Sequence, residues 1–156
     1  MSTRIQSIFF SLLILVLWAA SCRTDAPGKL PASYAEPIFS SDPAKSLTSN
    51  SYKTWKPFFY TRNGQVEFID SCETDDRFTF YSNGDLKYTW GTQHCYLNEP
   101  DSEMSNWGFG SNPAFIHLGT ANFSVYELFD ERFVITWKEI SGNDTIERSK
   151  HFVPVL

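Results

Sequence analysis

Cys72-Glu73-Thr74-Asp75-Asp76-Arg77-Phe78-Thr79-Phe80-Tyr81-Ser82-Asn83-Gly84-Asp85-Leu86-Lys87-Tyr88-Thr89-Trp90-Gly91-Thr92-Gln93-His94-Cys95 contains a complete supersecondary unit. Arg77 to Tyr81 and Asp85 to Gly91 alternate apolar with polar residues, the two-residue period of a half-buried strand. Between them lies Asn83-Gly84, a pair that tolerates the positive φ angles of a tight turn. A β-hairpin is expected. The two cysteines fall just beyond its outer strand ends, where antiparallel pairing would bring them within bridging distance. A Cys72–Cys95 disulfide would then fix the register of the two strands.

Working outward toward the N-terminus, Met1 to Arg4 carry one positive charge and Ile5 to Trp18 form an apolar run, the layout of an export signal. The run is short for a membrane span, which needs ~20 apolar residues. It ends in Ala19-Ala20-Ser21-Cys22, which resembles the lipobox cleaved by bacterial lipoprotein signal peptidase, although Leu is commoner where Ala19 stands. Residues 1–21 are therefore expected to be a lipoprotein signal peptide and Cys22 the acylated first residue, with simple secretion as the competing outcome. Several acyl chains would hold the protein firmly to a bilayer, because each buried methylene contributes ~0.8 kcal/mol. The expected location is the bacterial cell envelope, on the periplasmic side or at the surface of the outer membrane. With Cys22 used by lipid, Cys72 and Cys95 remain as an even pair in an oxidising compartment.

Residues 22–42 are rich in Pro, Ala and Ser and show no hydrophobic period, as in a flexible tether. Ser41-Asp42-Pro43-Ala44-Lys45-Ser46-Leu47 then offers a cap, a Pro suited to a first helical turn and one apolar contact, which predicts a short helix. Residues 43–156 suit one domain. Beyond Asn50 the pattern is β: Tyr52 to Tyr60, Val66 to Ile69, the hairpin, Trp107 to Phe109, Ala114 to Leu118, Phe123 to Leu128, Arg132 to Ile140 and Thr145 to Val153. Asn98 to Ser105 reads as a polar loop. No helix is long enough to cross between parallel strands, so an all-β, antiparallel up-and-down arrangement of about eight strands is predicted. Closing it into a barrel removes exposed edges, with a β-sandwich as the competing solution.

The formal net charge of −5 argues against nucleic acid as a partner, since phosphate binding rewards clustered Lys and Arg. Eight strands can enclose a filled core or one small ligand. Tyr88, Trp90, Trp107, Phe133, Ile135 and Trp137 are the candidate inward residues, either lining a ligand cavity or packing as core. Asp70, Glu73, Asp75 and Asp76 could supply oxygen to calcium but lack the full loop signature, so no metal is predicted. His94, His117 and His151 lack zinc spacing. No nucleophile elbow or phosphate-cradling glycine loop is present, and neither catalytic residues nor a cofactor is assigned.

These residues together resemble a known family, the small lipocalin-like domains of bacterial lipoproteins within the wider calycin group. The resemblance spans roughly residues 45–154. It rests on the lipobox, the short helix before Trp55, the Cys72-Glu73-Thr74-Asp75-Asp76-Arg77-Phe78-Thr79-Phe80 run with Asn83-Gly84, Cys95, Trp107 and the closing hairpin. It implies a barrel open at one end. Lipocalins close the other end with a Gly-x-Trp whose indole packs against an Arg from the last strand. Trp55 matches that Trp, Lys53 stands where the Gly would be, and Arg148 is the candidate partner. The expected function is a monomeric, membrane-anchored module binding a small hydrophobic ligand, with a structural or protein-interaction lipoprotein as the alternative.

Overall fold

A computed structural model describes residues 37–156. The expected signal peptide, the expected lipidation site Cys22 and the expected tether as far as residue 36 lie outside the described residues.

Among the described residues, ten strands and one short α-helix follow in order: β1 (Ile38–Phe39), α1 (Pro43–Thr48), β2 (Tyr52–Arg62), β3 (Gln65–Glu67), β4 (Arg77–Tyr81), β5 (Asp85–Thr89), β6 (Ser102–Phe109), β7 (Phe115–Leu118), β8 (Ala121–Phe129), β9 (Arg132–Ser141) and β10 (Asp144–Pro154). From β4 onward each strand pairs antiparallel with the next. β10 then pairs with β2, and β2 with β4, so eight strands form a closed ring. The closure has a direct cause in the sequence. β2 and β10 are the longest of the described strands, each 11 residues, and pair from Arg148↔Arg62 to Pro154↔Trp55, with a bulge at Phe58 where the register shifts between His151 and Phe152.

The hairpin forms as Arg77↔Thr89 to Phe80↔Leu86. Its turn differs from the expected tight pair, because Asn83 is not in the positive-φ region and only Gly84 is, at φ 92°. Ser82, Asn83 and Gly84 make a three-residue loop of the kind in which a type I turn is followed by one left-handed residue. Trp107 on β6 holds it, with its indole donating to the Tyr81 carbonyl at 2.9 Å and its backbone N–H to the Gly84 carbonyl at 2.9 Å. The two-residue turn with both central residues at positive φ occurs instead at Asn63-Gly64 (49° and 75°), joining β2 to β3.

Three further expectations are corrected. Ser102 to Ser105, read as loop, form the first half of β6 and pair with Leu86 to Thr89. Ser102, Glu103 and Met104 are exposed, so no apolar alternation marked them; a neighbouring strand supplies their hydrogen bonds. The arrangement is not wholly antiparallel, since Ile38 and Phe39, assigned to the tether, pair parallel with Glu127 and Leu128. The third concerns Arg148. It lies near the start of β10, opposite Arg62 and Trp137, whereas Trp55 pairs with Pro154 at the other end of that strand.

The end of the ring near Trp55 is closed by α1. Asp42 caps the helix by accepting from the Lys45 N–H at 3.0 Å, and Pro43 occupies its first turn. Leu47 is fully buried, and its carbonyl accepts the Trp55 indole N–H at 2.9 Å. The cation expected against Trp55 comes from Lys53, whose ammonium lies 4.5 Å from the indole centre. It donates to the carbonyls of Ser46 (3.1 Å) and Asp130. One side chain thus both tethers the helix and covers the indole. Inside the ring, Trp107, Phe80, Phe133 and Phe152 continue the packing, with successive ring centres 5.8, 5.8 and 5.2 Å apart. Such aromatic contacts contribute about 0.5–1.5 kcal/mol each beyond area burial.

Candidate functional site

The packed core does not fill the whole ring. Pairing between β2 and β4 ends at Trp55↔Phe78, so the outer half of β2 lacks β4 as a neighbour. β3 pairs with Tyr60 to Arg62 instead, and the segment leading from it into β4, with its 3₁₀ turn Ser71–Glu73, spans the remaining gap and meets Tyr60 through a hydrogen bond from the phenol to Glu73. Cys72 and Cys95 are bonded, with Cα atoms 5.2 Å apart, so the turn is fixed to the loop that follows β5. Two aspartates complete the attachment. Asp75 Oδ2 accepts from the Thr92 N–H at 2.7 Å and the Thr92 hydroxyl at 3.0 Å. Buried Asp76 accepts from the Tyr88 hydroxyl at 2.5 Å and the Gly91 N–H at 3.2 Å. Gly91 is required there, because a Cβ would stand 1.8 Å from the Asp75 carboxyl carbon. The acidic run thus docks one loop on another, and among the described residues no group of three His, Cys, Asp or Glu is arranged to hold a metal ion.

Above the core the ring opens into three adjoining spaces that share Lys150. One of about 300 Å³ is walled by Phe78, Leu118, Ala121, Phe123, Ile135, Trp137 and Phe152. The second, about 340 Å³, lies among Tyr60, Glu73, Trp137, Glu139 and Arg148. The third, about 360 Å³, is bordered by Asp70, Glu73, Asp76, Tyr88, Tyr96, Glu99 and the disulfide. The first is apolar, while the other two carry the polar groups.

Lys150 projects inward because it shares the face of β10 that holds Phe152, and it pairs in register with Tyr60 and Ile135. Its ammonium is surrounded by the rings of Tyr60 (4.9 Å), Phe78 (5.1 Å) and Phe152 (5.8 Å), with Glu73 Oε2 at 3.6 Å. Burial pulls its pKa below the ordinary lysine value, opposed by the nearby charges of Glu73 and Asp76. Burial also raises the Tyr60 and Tyr88 hydroxyls, reinforced by their hydrogen bonds to Glu73 and Asp76, so both remain protonated donors. Arg148, two residues earlier on the same face, differs sharply from Lys150. It makes 2.8 Å contacts to both Glu67 and Glu139 and forms a completed ion-pair network at the rim.

The six sequence-derived candidates divide by depth. Trp107 and Phe133 belong to the packed core. Ile135 belongs to that core as well and, with the partly buried Trp137, borders the apolar space, where Trp137 also packs on Phe123 with centres 5.8 Å apart. Tyr88 borders the acidic space, and Trp90 lies beyond the end of β5 against Tyr88, at 4.2 Å. Lys150, Tyr60, Phe78, Phe123 and Phe152 were not named from the sequence. A signal existed: alternation in β10 places Lys150 on the face of Phe152, where a charge is costly.

No family model matches the chain, and no curated protein matches it.

Proposed function

We propose that this chain is a lipocalin-like lipoprotein of the bacterial cell envelope, held by an acylated Cys22, whose β-barrel takes up a small hydrophobic molecule. The observation that carries this reading is the roughly 300 Å³ space walled by Phe78, Phe123, Ile135, Trp137 and Phe152 at the open end of an otherwise packed ring. Its size and apolar lining are those of a small-molecule site with few polar groups. The opposite end of the ring is closed by α1 and Trp55.

Titration of the purified protein with an environment-sensitive apolar fluorophore tests the reading. One saturable site per chain is expected. Replacing Ala121 by Trp, which fills the space from β8, is expected to weaken binding by about tenfold or more while leaving the thermal transition in place. Equal binding by both proteins, or no saturable site, would remove the proposal. The alternative, a structural or protein-interaction lipoprotein, draws support from Phe68 and Leu97, which are fully exposed near the disulfide. It predicts that loss of those two side chains, rather than occlusion at Ala121, changes behaviour.

A further inference from the structure

We propose that Lys150 is a reactive amine that captures a small apolar aldehyde as an imine inside this cavity, with Glu73 as its proton-transfer partner. The inference rests on the ligand-binding reading above and names the class of molecule that reading would accept.

The placement of Lys150 is poorly explained as scaffolding. The neighbouring inward cation, Arg148, has its charge satisfied by two carboxylates at 2.8 Å. Among the described residues Lys150 has one carboxylate within 4 Å, Glu73 at 3.6 Å, feels the more distant charge of Asp76, and otherwise meets aromatic faces. Its side chain is 16% exposed, and that exposure is directed into the spaces it borders. A buried lysine beside an acid–base group and an apolar wall has the parts that imine formation needs.

The chemistry balances with these groups alone. Glu73 accepts a proton from the ammonium, and the freed nitrogen lone pair attacks the aldehyde carbon. A C–N bond forms as the carbonyl π electrons move to oxygen, and the proton that the now cationic nitrogen sheds passes to that oxygen, giving a neutral carbinolamine. The carboxyl of Glu73 then protonates the hydroxyl, the C–O bond breaks, water leaves and a protonated imine remains. Nothing is oxidised or reduced, and one water is released per aldehyde bound. The rings of Tyr60, Phe78 and Phe152 would face the iminium as they now face the ammonium, with Glu73 as counter-ion. The aldehyde's apolar body would lie among Leu118, Phe123, Ile135 and Trp137.

The test is reductive trapping. The full chain is incubated with cinnamaldehyde and cyanoborohydride, and the adduct is mapped by peptide mass spectrometry. Lys150 is expected to be labelled about tenfold faster than any of Lys29, Lys45, Lys53, Lys56, Lys87 and Lys138. The fast phase should vanish in Lys150→Arg and also in Ala121→Trp, which keeps the amine but fills the space. Glu73→Gln should slow trapping at saturating aldehyde, and cinnamyl alcohol, which has no carbonyl, reads binding by the native protein apart from capture. Labelling spread evenly over the lysines, or a fast phase that survives in Lys150→Arg, would overturn the proposal. Saturable binding of cinnamyl alcohol without selective trapping would overturn the imine alone. Absence of both would overturn the binding reading as well.

Discussion

At Gly91 the absence of a side chain has a clear consequence. Asp75 reaches across to Thr92 through the space a Cβ would fill. Gly91→Ala must therefore push Asp75 away from its two donors, and a loss of about 1–3 kcal/mol in chemical denaturation is expected from this overpacking. Its hydrogen bonds from Thr92 hold the Asp75 carboxyl below the ordinary carboxylate range. Its contribution is thus present above that range and lost as pH falls through the depressed value. His151 works at higher pH. Burial first, and Arg132 second, lower it from 6.5 to about 4, and it is stacked on Phe59 at 4.0 Å. Between these values the unfolded chain binds the proton and the folded chain does not, so stability is complete above about pH 6.5 and declines toward pH 4. Denaturation midpoints measured across that window should fall in the native protein and fall less in His151→Gln.

Among the elements, the segment between β3 and β4 is the least regular and bears most on the site. It spans the gap between β3 and β4, brings Glu73 to Tyr60 and Lys150, and is held by one covalent bond together with Asp75 and Asp76. With cysteines 23 residues apart, the Cys72–Cys95 bridge contributes about 3 kcal/mol in the chain-entropy model. A Cys72→Ser, Cys95→Ser double variant should lose stability of that order. It should also weaken apolar-probe binding, because the wall beside Tyr60 is then free to move away; unchanged probe affinity would show that the segment does not shape the cavity. The β2–β3 turn is a second local determinant. Asn63 adopts φ 49°, and its side-chain oxygen accepts from the Glu147 N–H at 2.9 Å, tying that turn to β10. Asn63→Ala removes both the tolerance for that conformation and the bond, at a cost of about 1–2 kcal/mol readable in thermal melts.

For the whole molecule, closure of the ring separates two regions with different physical character. The half near Trp55 and α1 is solid aromatic core, while the half near Lys150 retains space and charge. A chain in which the first long strand meets the last closes through its most distant contacts, such as Thr61 to Ser149, and a topology rich in such contacts folds slowly. At this scale the expected anchor is testable: Cys22→Ser should move the protein from the membrane fraction to the soluble fraction, as read by fractionation and immunoblotting. Full membrane retention would refute lipidation at that residue.

The sequence by itself determined what is local. Two-residue alternation marked most of the strands, Asp42-Pro43 marked the start of α1, and the even pair of cysteines pointed to the bridge between Cys72 and Cys95. It could not show Ser102 to Ser105 as strand, because exposed polar residues carry no period when a neighbour supplies the pairing. Nor did it distinguish Asn63-Gly64 from Asn83-Gly84, which are identical as dipeptides and differ because Trp107 holds only the second turn. Only the tertiary structure separated Arg148 from Trp55, placed Lys53 over that indole and put Lys150 in a cage of rings from β2, β4 and β10. Side chains far apart in the chain acquire neighbours only when the ring closes, and the energy of a buried cation depends on those neighbours rather than on its own segment.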